Sequence, residues 1–432
     1  MPPPPIDPQR DRTDELVAAL AAIPPEPPIT LPHPPMGMKW AQSSSVLDIT
    51  DALQGEWSPQ TRPNQNSVIE FLKNPAVERA LDRLAAIQPG ACRGDSIPRT
   101  ALRQASKLLV ARARLRHATQ ENVDGAWLDL AALLRISSIA TESKDSILLL
   151  TAIACEYLAF GELRQMCHEH RLSNVQARRI ASALQRECLG QREIWKIVTA
   201  GHCGALEFTL DLAYTDDGHG NGWLVLNRLD NLAQPSMAKE NRLGAWNALS
   251  PLFNDRRTVA EKLRMFRSAC EQLGESTYPQ SRVAAERVSA AARRFAIVDG
   301  PLAQAVNEST VGYLYDMTIR RTATLRACII ATALSAYRHD HDEYPLSIES
   351  LTSQYLEAQL TDPLGDQPFR YRRNEQGDDY LLYSVGPNQI DDGGKEIPRP
   401  AGAAAVKQEG DILFKHSRGE AYWEPKMVKV TQ

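Results

Sequence analysis

Gly125-Ala126-Trp127-Leu128-Asp129-Leu130-Ala131-Ala132-Leu133-Leu134-Arg135-Ile136 is the stretch from which the fold reads outward. Val123, Trp127, Leu130, Leu133, Leu134 and Ile136 recur at the three- and four-residue intervals that put side chains on one face of an α-helix. Leu102, Ala105, Leu108, Leu109 and Ala111 do the same just upstream. Downstream, a third helix is expected from about Asp145 to His170, and a fourth opens at Ser173. The Ser173-x-x-Gln176 spacing there is a capping box, in which the hydroxyl and the glutamine satisfy free amides reciprocally. No proline interrupts residues 99–234. Long helices joined by a few residues imply antiparallel helical hairpins. Residues 99–200 are therefore expected to hold at least four helices, with Trp127, Leu130, Leu134, Leu150, Ile153 and Leu158 buried.

Composition agrees with a folded, helix-rich chain. The 432 residues are 43% hydrophobic and 24% charged, which is ordinary for globular domains. With 49 Lys+Arg against 53 Asp+Glu the formal charge is −4, so no nucleic-acid partner is expected. Residues 147–160 are too short and carry Glu156, so no transmembrane segment is expected in this chain. The start Met1-Pro2-Pro3-Pro4-Pro5 lacks the basic and apolar regions of a signal peptide. The chain is then either cytoplasmic or has lost an upstream anchor or signal. Seven cysteines, at 92, 155, 167, 188, 203, 270 and 328, include no CxxC and read as buried free thiols, leaning towards a reducing compartment.

Prolines divide the chain. Twelve of the 28 precede residue 36, marking residues 1–38 as a proline-rich tether or surface segment, interrupted by one short helix over 11–23. A mixed region covers 39–98, and a helical-hairpin domain covers 99–320. The glycine-rich run Thr215 to Gly222 marks a loop insertion over 203–232, with a short strand from Trp223 to Leu229. Helices resume over 258–273, 281–296 and 303–338.

The usual signs of catalysis are missing: there is no GxSxG, HExxH, Walker loop or GxGxxG. Cys167-His168-Glu169-His170 crowds metal-ligand types together, but adjacent positions on a helix diverge, and a polar helix end is the better reading. The same holds for His339-Asp340-His341-Asp342. Asp216 to Gly222 offers oxygens without the spacing or terminal glutamate of an EF-hand. No triad or closed metal constellation is expected around these groups.

From Ala323 onward the pattern is more specific. A helix carrying Leu325, Cys328, Ile329, Thr332 and Leu334 leads to Tyr337 and to Tyr344-Pro345. Leu346, Ile348 and Leu351 follow, then Asp362-Pro363-Leu364-Gly365 and Pro368-Phe369-Arg370-Tyr371. A four-residue polar turn, Asn374 to Gly377, separates this strand from Tyr380-Leu381-Leu382-Tyr383-Ser384-Val385-Gly386, giving an antiparallel hairpin. Asp391-Asp392-Gly393-Gly394 and a last strand, Ile412 to Phe414, complete an α+β layer.

This order resembles the globular domain of the type II secretion major pseudopilin, over roughly residues 325–414. The whole chain also resembles bacterial envelope-type proteins that place such a module after a helical domain, and the stretch at 125–131 resembles a degenerate tetratricopeptide helix. The resemblance implies a pseudopilin-like domain over 321–425 with a calcium loop. Carried over, Asn388 stands where the family has an aspartate and Gln389 where it has a glycine. Asp391 or Asp392 precedes the paired glycines, and Asp411 is the aspartate of Asp-Ile. Leu382 and Val385 would offer carbonyls, Ser384 matches the family's serine, and residues 395–410 form a long insertion. Leu206 to Asp211 is only superficially similar to the prepilin processing motif, since Glu207 replaces its glycine. Residues 303–322, where the family has its apolar polymerising helix, carry Asn307, Glu308, Asp316 and two arginines. The expected function is a non-enzymatic scaffold that engages protein partners at the bacterial envelope. The alternatives are an enzyme with a cleft between helical region and module, or a cytoplasmic helical adaptor.

Overall fold

A computed structural model describes residues 10–24, 68–90, 97–119, 121–142, 146–169, 172–187, 191–225, 252–306, 308–394 and 410–414. Expectations for most of 1–67, for Cys92, Cys188 and His170, and for 226–232, 395–409 and 415–425 lie outside these residues. The protein is mainly helical, with small antiparallel sheets near the C-terminal end.

The helices are α1 (Thr13–Ala21), α2 (Pro75–Ala86), α3 (Arg99–Thr119), α4 (Val123–Thr141), α5 (Ser146–His168), α6 (Asn174–Glu187) and α7 (Gln191–Ala213). From residue 252 onward come α8 (Arg256–Glu275), α9 (Ser281–Ala292), α10 (Leu302–Ala305) and α11 (Glu308–His341). Five helices thus begin between residues 99 and 200, so the expected minimum of four is met. The fourth of these opens at its capping box: Gln176 Oε1 accepts from the Ser173 amide at 3.1 Å, and Ser173 Oγ from the Gln176 amide at 3.4 Å.

α3, α4 and α5 pack against one another as a three-helix layer, and α4 is its centre. Its buried residues include Trp127, Leu130, Leu133, Leu134 and Ile136, so the apolar stripe of residues 123–136 is core. Asn122 caps it, accepting from the Gly125 amide at 2.9 Å. Asp129 is buried on the same helix and is met by two arginines. Arg112 Nη2 donates to it at 2.6 Å and Arg116 Nη1 at 2.8 Å, while Arg112 also reaches Asp82 on α2. An unpaired carboxylate at that depth would cost roughly several kcal/mol, so the three arms fix α2, α3 and α4 in one register.

Some expectations need correcting. Leu150 and Leu158 are half-buried, unlike Ile153, which is in the core. They share one face of α5 with Tyr157, Arg164 and Gln165, all half-buried, and the fully buried stripe runs through Leu149, Ile153, Phe160 and Leu163. The helices also continue past residue 203: α7 runs to Ala213 because Leu206, Leu210 and Ala213 form a buried stripe at helical spacing. The described part of the loop is therefore 214–225, and its strand character is a single bridge, Tyr214 to Leu224.

α11 is the spine of the molecule. It is 34 residues long, packs on α5, α6 and α7, and also reaches the sheets with its C-terminal half. It runs unbroken through residues 320 and 321. The expected helix over 303–338 is in fact two, because α10 ends at Ala305 before α11 begins at Glu308. Arg321 on α11 is buried, and its guanidinium meets Glu156 of α5 with Nε–Oε2 at 2.5 Å and Nη2–Oε1 at 2.9 Å. α6 lies chiefly on α11 rather than continuing the α3–α5 layer.

Beyond α11, Tyr344 is buried, with its ring against Tyr380 at 4.7 Å. β1 (Thr361–Asp362) pairs with β2 (Gln367–Pro368). β3 (Arg370–Arg373) and β4 (Tyr380–Ser384) are antiparallel neighbours, and β5 (Ile412–Leu413) adds to the other edge of β4. The β3–β4 turn spans six residues, 374–379, two more than the polar run suggests. Asn374 widens it, its amide donating to the Asp379 carbonyl at 3.0 Å and its Oδ1 accepting from the Asp379 amide at 3.1 Å.

Candidate functional site

Strand order brings the expected loop together. β5 aligns Ile412 with Ser384, so Asp411 arrives beside the end of β4, where the chain turns into residues 386–394. Gly386 makes the approach possible. Its φ is +67°, and a Cβ there would stand 2.0 Å from the Gly410 carbonyl oxygen. Only glycine fits both conditions.

Within the loop, Asp391 Oδ1 accepts from the Tyr383 hydroxyl at 2.9 Å and from the Gly393 amide at 3.0 Å, and its Oδ2 lies 3.1 Å from Arg370 Nε. These donors, the Tyr383 hydroxyl foremost, hold its carboxyl below the usual carboxylate range. Asn388 donates to Asp392 Oδ2 at 2.9 Å and uses its own Oδ1 to accept from the Ile390 amide. Asp411 is 3% exposed. Its Oδ2 accepts from the Gly394 amide at 2.7 Å, whereas its Oδ1 is buried with no partner. Burial, followed by the charges of Asp391 and Asp392, raises its pKa.

Asn388 and Asp392 are thus bonded to each other, whereas Asp391 and Asp411 are each held by other partners along the same loop. The carbonyl of Leu382 accepts from the Phe414 amide at 2.9 Å and so belongs to the strand pairing. Val385 donates its amide to Asp362 Oδ2 at 3.2 Å. Among the described residues no group of three or more His, Cys, Asp or Glu side chains is arranged to hold a metal ion. A cation beside Asp411 would therefore draw on main-chain carbonyls and water as well as carboxylates, a mixture that calcium accepts. The orphaned Asp411 oxygen and the local negative charge fit such an ion.

The other clusters are spread apart by the helices that carry them. Cys167 is in the core, its Sγ 3.8 Å from Thr332 Oγ1, while Glu169 takes a bond from Gln165. Asp340 accepts from the Tyr355 hydroxyl at 2.8 Å and pairs with Arg178 at 3.2 Å, fastening α11 to α6, and His341 stacks on Tyr337. Asp216 and Asp217 cap their own loop by accepting the amides of Gly218 and His219. The cysteines at 155, 167, 203, 270 and 328 are free and buried.

Sequence reasoning misses the buried polar pairs. His117 Nε2 lies 2.6 Å from Glu162 Oε1, deep between α3 and α5, and Glu156 pairs with Arg321 across 165 positions. A glutamate in an apolar run is the signal that the sequence offers; its partner is too distant in the chain to be read from it. Comparison with protein families, curated proteins and solved structures returns no match for this chain. Among the described residues, no helix is long and apolar enough to cross a membrane.

Proposed function

We propose that this chain is a non-enzymatic scaffold of the bacterial envelope, in which tetratricopeptide-like helical packing carries a pseudopilin-like α+β module stabilised by calcium. The helical layer supplies surface for protein partners, as in a secretion-related assembly, and the module supplies a calcium-tuned end. Asp411 carries this reading: it is the aspartate of the Asp-Ile pair, it is buried, and one of its oxygens lacks a partner beside two further carboxylates. When bound, calcium supplies positive charge to an acidic loop. Asp411, with the Val385 carbonyl and water, would hold it, Asp391 and Asp392 would add negative charge nearby, and Asn388 bonds Asp392.

Thermal unfolding of the full chain tests the reading, in millimolar calcium and in chelator, for the wild type and for Asp411→Ala. Stabilisation follows RT ln(1 + [L]/Kd), about 2.7 kcal/mol at a hundredfold excess over Kd. A calcium-dependent rise in midpoint that disappears in Asp411→Ala supports the site. Equal midpoints in calcium and chelator would overturn it.

A further inference from the structure

α7 and α8 are adjacent helices that approach closely. A Cβ at Gly274 would fall 1.7 Å from Trp195 Cδ1, so the indole lies directly on the α8 backbone, and its Nε1 donates to the Cys270 carbonyl at 2.8 Å. Further along, His202 of α7 faces Phe266 of α8 with ring centroids 6.2 Å apart. Between these two contacts the helices leave a small cavity. Cys203 of α7 and Cys270 of α8 both line it, together with Thr199, His202, Val311 and Leu314, and about 10 Å³ is open to the centre of a water-sized molecule. The surface that the cavity presents is apolar, and the two cysteines meet at it from facing helices.

We propose that Cys203 and Cys270 are a dithiol that a small peroxide converts into a disulfide joining α7 to α8. The two thiols differ in character. The neighbouring Cys270 thiol and the Arg267 guanidinium hold the Cys203 thiol below its usual range, whereas the Cys203 neighbour and burial push the Cys270 thiol up. Cys203 is accordingly the attacking sulfur. Its thiolate attacks a peroxide oxygen, the O–O bond breaks, and one water leaves as the sulfenic acid forms. The Cys270 sulfur then attacks the Cys203 sulfur, the S–O bond breaks, and hydroxide leaves with the Cys270 proton as a second water. Two thiols and hydrogen peroxide give one disulfide and two waters, with the sulfurs oxidised and the peroxide oxygens reduced. The remaining described cysteines serve as controls. Burial raises Cys167 and Cys328 to about 12 and Cys155 to about 11, and none of the three lines this cavity.

The test is peptide mapping of the reduced full chain after exposure to hydrogen peroxide, unfolding in an alkylating reagent, and proteolysis. The expected product is a Cys203–Cys270 cross-linked peptide pair, lighter by two hydrogen atoms than the separate peptides, with Cys155, Cys167 and Cys328 alkylated. Cys270→Ser should stop at a sulfenic acid on Cys203 that a dimedone-type reagent traps. Cys203→Ser should leave Cys270 alkylatable. Full alkylation of Cys203 and Cys270 in the oxidised wild type would overturn the proposal, as would a Cys167–Cys328 bridge forming in preference. Equal oxidation of Cys270 in Cys203→Ser would overturn the assignment of the attacking thiol. The wild-type map decides the matter even if either variant folds poorly.

Discussion

Glu156 and Arg321 meet in the core through two parallel bonds, Nε to Oε2 and Nη2 to Oε1, and tie α5 to the middle of α11. Their side chains are 3% and 1% exposed, so each charge depends on the other for its solvation. Removing one partner takes this pairing from the buried charge that remains. Glu156→Leu alone should therefore lower unfolding free energy by about 3–5 kcal/mol, and Arg321→Met alone by a similar amount. The double variant should recover most of the loss, because two apolar side chains of matching size need no partner. Urea unfolding of the three variants checks this; additive losses in the double variant would show that the pair is not an energetic unit.

Asp411 sets a pH dependence of unusual direction for a carboxylate. Its pKa is raised in the folded chain, so between the unfolded value, about 4, and the folded one the native state holds more protons than the unfolded state. Its contribution is full below about pH 4 and is lost as pH rises through the folded pKa. In chelator, the wild type should lose stability relative to Asp411→Asn as pH rises above about 4. Calcium, which favours the ionised carboxylate, should erase that difference. Urea midpoints across the pH series, with and without calcium, measure it; parallel wild-type and Asn curves in chelator would refute it.

Gly274→Ala pits helix propensity against space. In an exposed helix the change would stabilise by about 1 kcal/mol. Here the added methyl would lie within 1.7 Å of Trp195 Cδ1, so the indole or the helix must move. A net loss of about 1–3 kcal/mol is expected, with partial recovery when Trp195→Leu is added. Chemical denaturation of the single and double variants decides it, and a more stable Gly274→Ala would contradict the close approach.

Gly386→Ala should act on the loop instead of the core. It combines a left-handed φ of +67° with a Cβ 2.0 Å from the Gly410 oxygen, so β5 could not dock as it does. A loss of about 1–3 kcal/mol is expected, together with a weaker stability response to calcium, since Asp411 follows Gly410 directly. A variant that keeps the wild-type calcium response would separate the loop from the strand.

Features governed by neighbours in sequence are legible in the amino acids themselves. Ser173 and Gln176 lie three positions apart and their capping box needs nothing else. The stripe Trp127–Leu130–Leu134 and the β3–β4 hairpin follow from periodicity and from the intervening polar turn. Leu150 and Leu158 lie shallower than periodicity suggests, because periodicity yields a face but not which neighbour covers it. The polar tone of Gly204, Glu207 and Thr209 hides a helix whose stripe, Leu206, Leu210 and Ala213, is present at the correct spacing. The loop aspartates can be named from their order. The orphaned oxygen of Asp411, the Leu382 carbonyl's role in strand pairing and the Cys203–Cys270 cavity instead depend on chain segments tens of residues apart.

The 34-residue α11 spans about 50 Å, lies against α5, α6 and α7, and also meets the sheets. A tug on the module would consequently travel as shear along this rod, shared among Arg321–Glu156, Asp340–Arg178 and the apolar seam between them, instead of peeling one contact at a time. Parallel loading of many contacts resists force far better than sequential unzipping. Single-molecule pulling through residues 371 and 110 should register one high rupture force in place of a staircase.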